Sequence, residues 1–74
     1  MLQFTVVVES SLLGVDACVP SIRECEAWGA TEDEALSALL DRLAFFLGRE
    51  SGFKHSIDYM RKEDAKTYYK LIIR

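Results

Sequence analysis

The chemistry open to this chain is limited by its reactive side chains: one histidine, His55, and two cysteines, Cys18 and Cys25. A lone imidazole has no second histidine to complete a metal site or a proton relay, and His55 reads as a surface residue. The cysteines stand seven positions apart rather than in a CxxC pair, and a tetrahedral metal site would need further ligands. They read as small apolar residues with free thiols. Carboxylates come next. Glu24 and Glu26 lie two apart in an alternating stretch and would share one face of a strand. With Glu9 and Asp16 they form the acidic set from which a metal-dependent hydrolase would have to be built. Ser10, Ser11, Ser51 and Ser56 lack a nucleophile-elbow context, and no glycine-rich phosphate loop is present. The expectation is a non-enzymatic chain with no cofactor, no metal and no catalytic residues.

Composition narrows the partners. Seventy-four residues, half of them hydrophobic, make one domain over 1–74. Twelve acidic against nine basic side chains leave a net charge of -3, the wrong sign for a phosphate backbone, so direct nucleic-acid binding is not expected. The one basic cluster, Arg61-Lys62, is followed at once by Glu63-Asp64. No secretory leader or membrane-length apolar run is present. A cytoplasmic protein with reduced thiols is the expectation.

The elements that would position these residues follow from periodicity. Leu2, Phe4, Val6 and Val8 alternate with Gln3, Thr5, Val7 and Glu9, the pattern of a strand with one dry face. After Ser10 to Gly14, Val15, Ala17 and Val19 repeat the pattern, giving an antiparallel partner that ends near Pro20. Matching the apolar faces suggests Glu9 opposite Gly14, with Ser10 to Leu13 as the loop. Residues 24–28 read as a third strand. Thr31-Glu32-Asp33-Glu34 is a capping box, with Glu34 reaching back to the Thr31 amide. It opens a helix over 32–47, whose apolar stripe is Ala35, Leu36, Leu39, Leu40, Leu43 and Leu47, closed by Gly48. One of Phe45 and Phe46 should extend the buried face. Residues 49–56 show no clear period, and Phe53, His55, Ile57 and Tyr59 fit either a strand or a helical turn. Arg61 to Lys66 reads as a polar connection and Thr67 to Arg74 as a final strand. The fold class is α+β: a three-stranded antiparallel meander, one helix packed on the sheet, then one or two C-terminal strands.

One helix covers one side of a sheet. Tyr68 and Tyr69 must point to opposite faces, so Val7, Tyr68 and Ile72 fall on the side away from the helix, with Leu12 and Leu13 at a hairpin tip. Trp28, before Gly29 at a strand end, can cap the core or anchor a partner. These six are the expected contacts to a partner or another subunit, and the surplus of apolar surface implies a homo-oligomer, a dimer or higher.

Phe4-Thr5-Val6-Val7-Val8-Glu9, Gly14, Ala17-Cys18-Val19-Pro20, Cys25, Gly29-Ala30-Thr31 and Glu34-Ala35-Leu36 together resemble the small HicB-like antitoxin domain over residues 3–47. The resemblance implies a β-β-β-α-β core related to a truncated ribonuclease-H-like sheet, without a dependable catalytic set. It implies a function in binding and neutralising a small basic RNA-cleaving toxin. The family's aspartate-leucine-proline-glycine-cysteine turn is replaced here by Ser21-Ile22-Arg23-Glu24-Cys25, and no segment for operator binding is expected. The alternatives are a homo-oligomeric structural or ligand-binding domain without a toxin, and a hydrolase using Glu24, Glu26, Glu9 or Asp16.

Overall fold

A computed structural model describes residues 2–50 and 52–74. Ser51 therefore lies outside the described residues. The strands are β1 (Leu2–Ser11), β2 (Gly14–Cys18), β3 (Glu26–Gly29), β4 (His55–Glu63) and β5 (Lys66–Ile73), and the helix α1 (Glu32–Leu47) lies between β3 and β4. All five strands form one sheet in the order β3-β2-β1-β5-β4, and every pairing is antiparallel.

This corrects the expected fold class. The order is β-β-β-α-β-β, not a β-β-β-α-β core, and the fully antiparallel sheet replaces the truncated ribonuclease-H-like one. The element left open between a strand and a helical turn is β4, an edge strand whose residues 58–63 are exposed on both faces. A strand held by its ladder to β5 and not by burial shows apolar alternation only as far as Tyr59. The supposed polar connection from Arg61 to Lys66 is mostly hairpin. Glu63 pairs with Lys66, and Asp64 takes φ 54° at the turn. Opposite β5, an extra residue at Met60 bulges β4 between Tyr59 and Arg61.

The first hairpin also differs in register. Ser11, not Glu9, faces Gly14, and Glu9 faces Asp16. The slip is two residues, which leaves the faces unchanged: Val6, Val8, Val15, Ala17 and Val19 remain buried together. A two-residue tip, Leu12-Leu13, replaces the longer loop. The Ser11 hydroxyl accepts from the Leu13 amide at 3.2 Å, and Gly14 takes φ 136°. Short hairpin loops match strand twist better than longer ones, so local turn geometry decides the register once the faces agree.

The third strand is Glu26–Gly29, not residues 24–28. Glu24 has φ 69°, its carbonyl accepts from the Glu26 amide, and it lies in a turn. Glu24 and Glu26 therefore do not share a strand face.

The helix spans Glu32–Leu47, with Thr31 as N-cap accepting from the Glu34 amide. The Glu34 carboxylate reaches the Ala30 amide at 2.9 Å, one residue before the expected Thr31. Gly48 closes the helix at φ 67°. The helix packs mainly on β3 and β2, and Ala35, Leu39 and Leu43 meet Val6, Val8, Leu71 and Ile73 in the core. Phe45 and Phe46 both stay exposed, 81% and 41%, stacked edge to face at 5.9 Å between centroids. Ala44, beside them, takes the buried position.

Tyr69 points to the helix side and donates its hydroxyl to the Glu32 carboxylate. That bond, then burial and the Glu32 charge, pushes the Tyr69 phenol up to about 12 from its ordinary 10.0. A phenol whose folded value is raised stabilises the fold fully below pH 10 and loses that contribution as pH rises towards 12. Urea midpoints should therefore fall more steeply across this window for the wild type than for Tyr69→Phe. Parallel curves would rule out the bond as a contributor to stability.

Candidate functional site

The registers fix which side chains share the face away from the helix. One row runs across the sheet as Trp28, Asp16, Glu9, Lys66 and Glu63. The next is Glu26, Cys18, Val7, Tyr68 and Arg61. Beyond them Thr5, Lys70 and Asp58 form a third row, and Gln3, Ile72 and Ser56 a fourth. Arg61 belongs to this face because of the bulge at Met60. Without it the side chain after Tyr59 and Met60 would project to the helix side.

Every charged side chain in these rows is exposed. Val7, Tyr68 and Ile72 are half-buried, shaded by neighbours on the same face, in contrast to Leu71 and Ile73, which are fully buried beneath the helix layer. The alternating burial along β5 is the direct mark of a sheet covered on one side only.

The structure brings four of the six expected contact residues to this face: Val7, Trp28, Tyr68 and Ile72. Val7 and Tyr68 are directly paired across β1 and β5. Ile72 lies four residues further along β5. Trp28 is 57% exposed on the edge strand, and its indole lies over Gly14, where a Cβ would come within 2.6 Å of the ring. Glycine at that position lets the ring lie flat across the hairpin. Leu12 and Leu13 sit apart at the hairpin tip, fully exposed.

The polar members of the face are unevenly placed. Glu9, Asp16 and Glu26 lie over β1, β2 and β3, whereas Lys66, Lys70 and Arg61 lie over β5 and β4, with Asp58 and Glu63 on the outer edge. Glu9 and Asp16 are direct cross-strand partners, a like-charge pairing that destabilises a sheet unless a cation offsets it. Lys66 faces Glu9 from the other side. The acidic half borders an open concavity of about 570 Å³, lined by Val7, Glu9, Asp16, Cys18, Glu26, Trp28 and Lys66, with Arg42 contributed by the helix. On the basic half, the Arg61 guanidinium lies 4.1 Å above the Tyr68 ring and donates to Glu63 at 2.6 Å. This is a cation–π contact held in place by an ion pair.

Both thiols are free. Burial, reinforced on Cys18 by Glu26, pushes the Cys18 thiol up. Burial also raises Cys25, against the pull of Arg42. Neither has the electropositive surroundings that make a thiolate nucleophile. His55 is exposed and its Nδ1 lies 3.1 Å from the Phe53 carbonyl. Of the acidic residues considered for catalysis, Glu9, Asp16 and Glu26 share the open face but Glu24 does not. Among the described residues no three His, Cys, Asp or Glu side chains gather closely enough to hold a metal ion.

Sequence reasoning missed Cys18, Arg61 and the division of charge. The even parity of Asp16 and Cys18 could have placed those two opposite Val15 and Ala17. Nothing in the sequence announces the bulge that turns Arg61 over. No helix among the described residues is long and apolar enough to cross a membrane. Compared with protein-family models, with curated proteins and with solved structures, the chain gives no significant match.

Proposed function

We propose that this chain is a non-enzymatic, antitoxin-like protein-binding domain that takes a small basic protein on its open sheet face. The observation that supports the reading is the acidic half of that face. Glu9 and Asp16 are paired like charges beside Glu26, around a concavity walled by Val7 and the exposed Trp28. Lys66 neighbours Glu9, and an incoming cation would be drawn to Asp16 and Glu26 beside it. Trp28 supplies a large, rigid contact of the kind that anchors interfaces, and Val7 and Tyr68 give the apolar centre around which charged residues form a rim.

A basic RNA-cleaving toxin has the charge this surface lacks, and covering its active surface would neutralise it without chemistry by the antitoxin. The test is co-expression with the product of the adjacent reading frame. A complex stable at micromolar concentration is expected, weakened at least tenfold by Asp16→Lys with Glu26→Lys. No complex, or one indifferent to both substitutions, would overturn the assignment.

A further inference from the structure

We propose that the open face is self-complementary and is covered, when no basic protein occupies it, by a second copy of this chain whose twofold axis runs parallel to the strands close to β1. The proposal rests on reading this face as a protein-binding surface and names its other occupant.

The order of the strands separates the charges. Acidic Asp16 and Glu26 lie on β2 and β3, on one side of β1, while Lys66 and Arg61 lie on β5 and β4, on the other. When two such sheets stack face to face, a twofold axis parallel to the strands exchanges the two sides and preserves the position along the strand. Asp16 then meets Lys66 of the second copy, and Glu26 meets Arg61, because each pair occupies the same row. Cys18 meets Tyr68, and Val7 packs on its own copy at the axis. Glu9 also approaches its own copy, and each Glu9 retains Lys66 as its neighbour in the same sheet. An axis perpendicular to the strands would instead set β2 on β2 and acid on acid.

Size agrees with a reversible dimer. Under this axis the lengths present on both sides overlap, the ten residues of β1 on their own copy, the five of β2 on β5 and the four of β3 on β4; at about 4.8 Å between strands and about 3.3 Å per residue this covers roughly 450 Å² per copy. Two copies would bury about 900 Å², the size of a weak, transient interface. An interface this small is weak, so a stronger basic partner displaces the second copy.

The experiment is a charge exchange followed by sedimentation equilibrium. One variant carries Asp16→Lys and Glu26→Lys, the other Arg61→Glu and Lys66→Glu. All four positions are exposed, and circular dichroism with thermal melting verifies that each variant folds. The wild type is expected to dimerise as its concentration rises from about 1 to several hundred micromolar. Each variant alone should associate at least tenfold more weakly, and an equimolar mixture should recover a heterodimer, because the lysines at 16 and 26 of one variant then meet the glutamates at 66 and 61 of the other, and Lys66 and Arg61 of the first meet Asp16 and Glu26 of the second. A wild type that stays monomeric, variants that self-associate like the wild type, or a mixture that fails to associate would each overturn the dimer. If the wild type stays monomeric while the neighbouring gene product still binds, only the dimer falls. If the mixture dimerises but no basic protein binds, only the antitoxin-like reading falls.

Discussion

Gly29→Ala is expected to remove about 3 kcal/mol or more of stability and to lower the melting temperature by roughly 15 °C or more. Gly29 ends β3 where the chain turns directly into the helix, and it is buried. A methyl group there would lie 2.5 Å from the Ala35 amide nitrogen and 2.7 Å from the Glu34 Cβ. The Ala35 amide makes the first helical hydrogen bond, to the Thr31 carbonyl at 3.0 Å. Backbone in a capped first turn cannot swing aside as a surface side chain can, so the helix would have to lift from β3 or lose its cap. A thermal melt of the variant checks this. A loss below about 1 kcal/mol would show that the helix and β3 approach less closely than described.

The second large effect separates the two faces of one strand. Leu71→Ala should cost about 2–5 kcal/mol, because Leu71 is fully buried and its truncation leaves a cavity among Val6, Leu39 and Leu43. Ile72→Ala, one residue on, should cost about 1 kcal/mol, since Ile72 is half-buried on the open face and water or neighbouring side chains fill the space. Denaturant titration of the two variants at low micromolar concentration, where association is negligible, measures the contrast. Equal losses would mean that something in the chain already covers Ile72.

The two faces were legible in the sequence wherever burial is one-sided. Val6 and Val8 against Val7, and Leu71 against Ile72, alternate in the primary structure as they do in space. The helix was legible for a second reason: Thr31 and Glu34 at its start and Gly48 at its end have local roles that do not depend on the rest of the fold. Register was not. Two hairpin registers that differ by two residues bury the same side chains, and the choice between them rests on the Leu12-Leu13 tip and the Ser11 hydroxyl. The first half of β4 fits either a strand or a helical turn, and its second half was hidden because Asp58 to Glu63 are exposed on both sides, so an edge strand there carries the composition of a loop.

The candidate site was legible in part for the same reasons. Val7, Tyr68 and Ile72 followed from parity alone. The opposition of acidic and basic halves did not, because it depends on β5 inserting beside β1 and so placing Lys66 next to Glu9. Strand order of that kind is a long-range property, set by packing over the whole chain.

The most direct test of the open face as a surface covered by association is the alkylation rate of Cys18, read by site-resolved mass spectrometry as protein concentration rises. Cys18 lies in the middle row beside Val7, half-buried in the single chain, whereas Cys25 is buried on the helix side and serves as an internal control for unfolding. The account predicts that Cys18 labelling slows at least several-fold between about 1 and several hundred micromolar chain while Cys25 stays protected throughout. A Cys18 rate that is the same at every concentration would contradict it.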